Sequence, residues 1–200
     1  MAEESGLIDD ISWIVLEKVC EFLGEHPALP IKTISVNMTG QQVLNPVFEE
    51  RISENLARYH VAGERLRIEI TERTVTENFD KVKQVMERLG EKGIRFYLDD
   101  FGTGYSNLSS MLSLPFEVIK FDQSLMRIMM ESEKGLLTID LLAQIMHVND
   151  YIIVAEGIET RQQDMAARER KLDRIQGYYY SRPLPGGELI RFLEQEARRE

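Results

Sequence analysis

Several residue types that often carry chemistry are scarce in this chain. Its 200 residues include one cysteine and three histidines. Cys20 lies in the helical pattern WIVLEKVCEFL, which predicts a small buried residue, and it has no second cysteine for an internal disulfide. His26, His60 and His147 fall at predicted turns or helix ends, and we interpret them as structural. Nothing therefore indicates secretion, and side-chain oxygens are left as the candidate metal ligands.

Long apolar runs and excess positive charge are lacking as well. No segment reaches the roughly 18–20 apolar residues that a membrane helix needs, and no signal peptide opens the chain, so we expect a cytoplasmic protein without membrane insertion. Asp and Glu number 34 against 24 Lys and Arg, a net charge of −10. This balance argues against binding a nucleic acid duplex. It is compatible with a phosphate ester bound through a metal, or with plain solvated acidity.

Strand-like segments alternate with helical patterns along the chain. The predicted strands are 31–38, 66–71, 94–98, 116–121, 151–155 and 174–180. The predicted helices are 7–24, 46–59, 78–89, 123–147 and 187–198. This order predicts parallel strands with right-handed crossovers in a single α/β domain over residues 1–200. A doubly wound sheet and a (β/α)8 barrel both fit it, with six strands visible.

Polar side chains gather where the predicted strands end. The residues are Asn37, Glu69, Glu72, Asp99, Asp100, Lys120, Asp122, Glu156, Glu159 and Gln176. Because the carboxyl ends of parallel strands meet at one edge, we expect these groups to converge. The competing interpretation of these residues is helix capping and solvated loop ends.

A metal site explains the acids best. Glu69 stands between Ile68 and Ile70, where an unpaired carboxylate would cost several kcal/mol. Carboxylates with an asparagine form an oxygen-rich set suited to Mg²⁺, Mn²⁺ or Ca²⁺. Asp99 and Asp100 are adjacent, so each can face a different cation, and a two-metal site suited to phosphoryl displacement follows.

Two further features have competing interpretations. Lys120 is either the group that orients an attacking water or the partner of an acid on a neighbouring strand. Gly102-Thr103-Gly104 is a weak signal alone, since it lacks the third glycine of a dinucleotide fingerprint. Its place after the aspartate pair predicts a loop that approaches the substrate closely.

The stretch LDDFGTGYSNL, with EITE before it and VIKFD, VAEGIET and IQGYYYSRPLP after it, resembles the EAL family. AEESGLIDDISWIVLEKVC and ISVNMT are also similar to that family's segments, so the resemblance covers essentially the whole chain. These proteins are phosphodiesterases of the bacterial second messenger cyclic di-GMP. The resemblance implies a modified (β/α)8 TIM-like barrel and two Mg²⁺ or Mn²⁺ ions that serve to open the cyclic dinucleotide to a linear one.

The resemblance also implies roles for single residues. The implied metal ligands are Asn37, Glu69, Asp99, Asp100 and Glu156. Lys120 matches the water-orienting lysine, Gln176 the glutamine beside the catalytic water, and Glu156 also the proposed general base. Glu72 matches the acid that steadies the Asp-Asp-Phe-Gly loop. Asp122, Gly102, Thr103 and Gly104 are expected to contact substrate.

One departure from the family stands out. No Glu-Ala-Leu motif occurs in the 200 residues, although its Glu is a metal ligand in the family and a nearby Arg holds substrate phosphate. We therefore expect an incomplete barrel that lacks its first two strands and shows about six of eight. Strands left at the edges would be unpaired and open to another chain. We expect the lone chain to hydrolyse cyclic di-GMP poorly or not at all.

The sequence is compatible with three functions. The first is a metal-dependent cyclic di-GMP phosphodiesterase, and the second is a receptor that binds the dinucleotide without cleaving it. The third is an interaction fragment that pairs through its open edge. The family resemblance also implies a homodimer through the segment 106–114.

Overall fold

The computed structural model describes residues 7–104 and 108–196, with side chains for residues 10–104 and 108–195. The strands are β1 (Ile34–Asn37), β2 (Leu66–Thr71), β3 (Arg95–Phe101), β4 (Phe116–Phe121), β5 (Ile152–Ala155) and β6 (Arg174–Ile175). The helices are α1 (Leu7–Glu25), α2 (Gly40–Val43), α3 (Phe48–Arg58), α4 (Glu72–Glu91), α5 (Leu108–Met111), α6 (Gln123–Glu131), α7 (Glu133–Val148), α8 (Arg161–Glu169) and α9 (Gly186–Glu196). A 3₁₀ turn lies at Gly63–Arg65. The alternation of strands and helices confirms the predicted α/β class.

The chain divides into two compact units. The first comprises the residues through Glu69, Gln84–Arg95 and the residues from Pro183 onward, and the second comprises Ile70–Lys83 and Phe96–Arg182. That both belong to one domain stays a prediction.

The first unit is built on β1 and β2, which pair in parallel. Phe48 of α3 is fully buried, and its ring lies 5.7 Å from that of Trp13 on α1. Cys20 is fully buried on α1, as the helical pattern predicted. Helix α3 carries Glu49 in its first turn and Arg58 in its last, which suits the helix dipole.

The second unit holds four parallel strands, since β3 pairs with β4, β4 with β5 and β5 with β6. Strand β4 reads FEVIKF and is buried on both faces, as a central parallel strand is. The rings of Phe101 and Phe121 stack at the ends of β3 and β4, 5.5 Å apart. The ends of β3 and β4 therefore pack against each other through these two aromatic rings.

Two sequence predictions for the second unit are wrong. The helix predicted over 123–147 is broken at Ser132, whose hydroxyl accepts a hydrogen bond from the Gly135 amide. Gly135 lies so close to Ile128 that a Cβ would stand 1.9 Å from its carbonyl oxygen, so the backbones of α6 and α7 are in direct contact after the break. The strand predicted over 174–180 ends at Ile175, because the chain turns at Gly177, whose carbonyl accepts from the Tyr180 amide.

Other boundaries shift by a few residues. Strand β1 is shorter than predicted, and β3 runs on through Asp99 and Asp100 to Phe101. Helix α4 begins at Glu72, six residues before the predicted start, but its helical backbone is interrupted at Asn78 (φ −142°, ψ 36°). The final helix is described to Glu196, and the last residues predicted for it, 197 and 198, lie outside the described residues. None of the described helices is long and apolar enough to cross a membrane.

Candidate metal centre

Three carboxylates of the second unit come together near the carboxyl ends of β3 and β5. Asp99 and Asp100 lie in β3 just before its last residue, Phe101, and Glu156 directly follows β5. One carboxylate oxygen from each lies within 4.8 Å of the others. The structure therefore brings together three of the five predicted metal ligands.

Lys120 lies between two of these carboxylates. Its Nζ is 2.9 Å from Oδ1 of Asp99 and 2.8 Å from Oε1 of Glu156. The three side chains are 8%, 14% and 16% exposed, so these ion pairs are largely shielded from water. This follows from strand order, because β4 carries Lys120 between β3 and β5. These distances agree with the interpretation of Lys120 as the ion-pair partner of acids on neighbouring strands. The role of Lys120 in orienting water stays a prediction.

The backbone after Asp99 turns sharply. Asp100 has φ 56°, in the left-handed region, and Gly102 has φ 102°. A Cβ at Gly102 would lie 2.7 Å from the Leu125 side chain, so the turn has room for glycine only. The Thr103 hydroxyl donates to the Asp100 carbonyl at 2.9 Å. These contacts fix the direction in which both carboxylates leave the strand.

Glu72 contacts the same turn. The residue is 7% exposed, and its carboxylate accepts a long hydrogen bond, 3.4 Å, from the backbone amide of Gly102. Gly104 packs against it, since a Cβ there would lie 2.9 Å from Oε1. Glu72 is thus in contact with the loop that the resemblance assigned to it.

Gln176 lies beside the segment that carries Glu156. Its backbone N–H donates to the Ala155 backbone carbonyl at 2.8 Å, and its backbone carbonyl accepts from the Ile158 N–H at 3.2 Å. Gly177 allows this approach, because a Cβ would stand 2.0 Å from the Ile158 carbonyl oxygen. The backbones before and after Glu156 are therefore both tied to Gln176.

Asp122 has a clear structural role. Its carboxylate accepts a hydrogen bond of 2.8 Å from the Ser124 amide and caps the N-terminus of α6. An aspartate in this place stabilises the helix start. Its predicted contact with substrate stays a prediction.

Asn37 and Glu69 lie in the first unit as direct neighbours. They are opposite each other in the β1–β2 register, and the Met38 amide donates to the Glu69 carbonyl at 2.9 Å. Glu69 is 6% exposed, whereas Asn37 is exposed. The two predicted ligands are therefore adjacent at the carboxyl ends of their strands.

The segment that follows Gln176 is tied to α8 by hydrogen bonds that the sequence did not predict. The Tyr180 hydroxyl donates to the Asp164 carboxylate on α8, and Arg168 donates to the Tyr180 oxygen at 2.7 Å. The hydrogen bond from Tyr180, followed by Arg168, lowers the pKa of the Asp164 carboxyl, and the same bond raises the pKa of Tyr180. Asp164 and Arg168 are four residues apart on a helix, which predicts their pairing. No sequence pattern links them to Tyr180.

The donor set fits a hard divalent cation. Asp99, Asp100 and Glu156 offer carboxylate oxygens, and neither histidine nor cysteine joins them among the described residues. Oxygen donors of this kind suit Mg²⁺ or Mn²⁺. The Lys120 ammonium shows that a positive charge is accommodated between Asp99 and Glu156.

The comparisons with known proteins agree with the motifs. The EAL domain model matches residues 1–183. The chain belongs to the EAL family. It is 33% identical over 201 residues to the cyclic di-GMP phosphodiesterase NbdA of Pseudomonas aeruginosa, a match that covers 96% of this chain and 25% of NbdA. Curated relatives such as this one are about four times as long as the matched segment.

Solved structures of EAL domains share the fold. The PaMucR phosphodiesterase in its c-di-GMP complex superposes with a TM-score of 0.87 at 27% identity, covering 94% of this chain and 77% of that one. An EAL domain protein of Listeria monocytogenes gives a TM-score of 0.76 at 29% identity, with coverages of 92% and 71%. The predicted TIM-barrel-like α/β fold of the EAL type, with six parallel strands in the described residues, is confirmed.

Proposed function

We propose that this EAL domain is a metal-dependent phosphodiesterase that hydrolyses cyclic di-GMP to the linear dinucleotide in bacterial signalling. The observation that carries the proposal is the cluster of Asp99, Asp100 and Glu156 around Lys120. NbdA, a relative at 33% identity, is named as an enzyme of this activity. The structure of the PaMucR phosphodiesterase, which shares the fold, is that of its complex with c-di-GMP.

The proposed cofactors are two divalent ions, Mg²⁺ or Mn²⁺. Asp99, Asp100 and Glu156 would hold them, and Asn37 and Glu69 would complete the ligand set that the family resemblance implies. When bound, such a pair supplies positive charge to the attacking and leaving oxygens of a phosphodiester.

Residues of this chain accept the proton and orient the attacking water. Glu156 accepts a proton from the attacking water, whose oxygen bonds to phosphorus while the bond from phosphorus to the ribose oxygen breaks. Lys120 orients the attacking water, and Gln176 lies beside that water. The released ribose oxygen takes up a proton, so water is consumed and the ring is opened.

Substrate contacts are assigned to the loop after β3. Gly102, Thr103 and Gly104 present backbone without bulky side chains to the dinucleotide, and Asp122 contacts it from the start of α6. Glu72 keeps this loop in place through its contact with Gly102.

We also propose a cellular location and partner chains for the domain. We place it in the cytoplasm as a homodimer or paired with another chain through an open strand edge. In the proposed dimer segment 106–114, residues 106 and 107 lie outside the described residues, and Leu108–Met111 form α5.

A receptor that binds cyclic di-GMP without cleaving it is the second candidate. The observation that favours it is that the 200 residues contain no Glu-Ala-Leu motif, whose Glu the family resemblance implies as a metal ligand. A metal site with fewer carboxylates would turn over its substrate slowly and could still bind it.

The test incubates excess protein with cyclic di-GMP and Mn²⁺ and separates the products by chromatography. We expect slow formation of the linear dinucleotide, which EDTA abolishes and Asp99→Asn prevents. Calorimetric titration of the same sample with cyclic di-GMP gives the second arm. Binding without product in folded protein would favour the receptor, and neither binding nor product would contradict both.

A further inference from the structure

An open cleft with a volume of about 660 Å³ is lined by residues of α6, α7 and α8 in the second unit. Its apolar lining consists of Met129, Met130, Leu136, Met165 and Ala166. Its polar lining belongs to α8 and the C-cap of that helix and consists of Arg161, Gln162, Glu169 and Arg170. A cleft of this size, with apolar walls and a few polar groups, is typical of a site for a small molecule.

The Arg170 guanidinium makes few hydrogen bonds for a side chain that is only 14% exposed. Its buried Nε has no hydrogen-bond partner among the described residues. Asp140 lies 3.7 Å from Nε and Glu169 lies 3.5 Å from Nη1, both longer than the roughly 2.7–2.9 Å of a charge-assisted hydrogen bond. The Ala166 carbonyl accepts from Nη1 at 3.0 Å. Arg170 therefore keeps donor capacity that an oxygen acceptor could use.

The charge of the lining favours an anion. Arg161 is exposed and forms no ion pair with the described residues. Two arginines against Glu169 give the lining a net charge of +1, in a chain whose total is −10. Glu169 is 68% exposed, so water screens its interaction with Arg170. Its charge still disfavours a doubly charged ligand, and a monoanion fits the lining best.

We propose that this cleft binds an alkyl carboxylate, with the carboxylate on Arg170 and the alkyl chain along the methionine side chains. The paired N–H donors of a guanidinium match the two oxygens of a carboxylate. Methionine adapts to apolar groups of different shape, because its side chain is unbranched and polarisable. None of the cleft residues belongs to the proposed metal centre. The site therefore goes beyond the proposed hydrolysis and does not depend on it.

The experiment titrates the full chain, labelled with [methyl-¹³C]methionine, and follows the methionine signals by NMR. The probes are octanoate, octanol and octylammonium, which share a chain length and differ in charge. We expect octanoate to shift the Met129, Met130 and Met165 signals, assigned through single Met→Leu replacements. It should bind about tenfold more tightly than octanol, since the guanidinium adds a charge-assisted hydrogen bond to the same apolar burial.

The other two probes test the role of charge. Octylammonium should bind more weakly than octanol, because the lining is positive. Equal affinities of octanoate and octanol would overturn the proposal, and so would methionine signals that octanoate leaves unmoved. The readout involves neither metal nor hydrolysis, so this site and the proposed function can fail separately.

Variants locate the carboxylate. Arg170→Gln should abolish the preference for octanoate over octanol, while Arg127→Gln, an exposed arginine of α6 outside the lining, should keep it. Arg170→Lys retains the charge without the paired donors and should keep only part of the preference. The methionine spectrum of each variant without ligand shows that it is folded. A full preference in folded Arg170→Gln would overturn the proposal.

Arg161→Gln keeps the test decisive should Arg170→Gln not fold, because Arg161 is exposed. It lowers the net charge of the lining from +1 to zero and should weaken octanoate binding about threefold, with octanol unaffected. Octanoate affinity that is unchanged in both Arg161→Gln and Arg170→Lys would show that the guanidinium groups do not bind the carboxylate.

Discussion

The ammonium nitrogen of Lys120 lies 2.8 Å from a carboxylate oxygen of Glu156, and the same nitrogen lies 2.9 Å from Asp99. One buried cation thus joins acids of the strand segments on either side of β4. Two carboxylates held this close repel each other unless a positive charge compensates them. The free energy of the folded state therefore depends on the cation that stands between them.

The first prediction concerns removal of that cation. Lys120→Met leaves two largely buried carboxylates facing each other, so the free energy of unfolding at neutral pH should fall by about 3 kcal/mol. Added Mn²⁺ should recover part of this loss, because a bound divalent ion replaces the missing charge. Urea unfolding with EDTA or with Mn²⁺ measures both effects.

An exposed ion pair provides the matched control. Arg73 pairs with Glu77 on α4 with side chains 82% and 55% exposed, so Arg73→Met should cost at most about 0.5 kcal/mol. A loss for Lys120→Met no larger than that for Arg73→Met would contradict the assignment of Lys120 to a shielded pair.

The second prediction concerns the glycine after Glu156. Gly157 has φ 67°, and a Cβ there would lie 2.4 Å from the Cβ of Gln123. Gly157→Ala should lower the free energy of unfolding by at least about 2 kcal/mol, since strain and overlap add. Gly187→Ala is the control, because Gly187 has open space around its Cα and lies in α9. It should be neutral or slightly stabilising, and equal losses in both variants would show that the turn does not need glycine.

The third prediction is a pH dependence at the Tyr180–Asp164 contact. The pKa of the Asp164 carboxyl is held below its usual range, first by Tyr180 and then by Arg168. A carboxyl with a lowered pKa stabilises the fold above its ordinary pKa, and this stabilisation is lost as the pH falls through the folded value. Tyr180→Phe should therefore lower the urea midpoint at neutral pH and have a smaller effect in acid.

Tyr178→Phe is the control for that series. Tyr178 is exposed, and its ring lies under the Arg182 guanidinium, 4.9 Å away, a contact that the substitution preserves. Its urea midpoint should follow wild type at every pH. A difference between Tyr180→Phe and wild type that is constant from neutral pH to acid would rule out a role for the Asp164 charge.

The fourth prediction concerns the thiol of Cys20. Burial, with a smaller contribution from Glu17, raises the pKa of Cys20 to about 11. At about pH 8 the thiol is therefore protonated and shielded, and it should react with a disulfide reagent only in urea. Rapid labelling of the native protein would show that α1 exposes this face.

The bounds of the central strand β4 could be predicted from the sequence, whereas the break between α6 and α7 could not, for a physical reason. Strand β4 is buried on both faces, so its apolar pattern is unambiguous, and the predicted bounds agree with the structure. The break at Ser132 depends instead on a close contact between Gly135 and Ile128. Such a contact is a property of the packed pair of helices and leaves no periodic signal.

The candidate site could likewise be predicted from the sequence only in part. Asp99, Asp100 and Glu156 could be predicted to converge because parallel strands end at one edge. The position of Lys120 between Asp99 and Glu156 was one of two interpretations that the sequence allowed. Tyr180 could not be assigned, because the tyrosine run after β6 reads as strand, whereas the chain turns at Gly177.

The most direct measurement is Mn²⁺ binding followed by electron paramagnetic resonance, in which free Mn²⁺ gives the signal and bound Mn²⁺ loses it. We expect the wild-type chain to take up Mn²⁺, and we expect Asp99→Asn or Glu156→Gln to weaken that uptake about tenfold or more. Asp164→Asn, which alters a carboxylate paired with Arg168 and Tyr180, should bind Mn²⁺ as wild type does. Uptake that is equal in wild type, Asp99→Asn and Glu156→Gln would show that the carboxylates around Lys120 are not a metal centre.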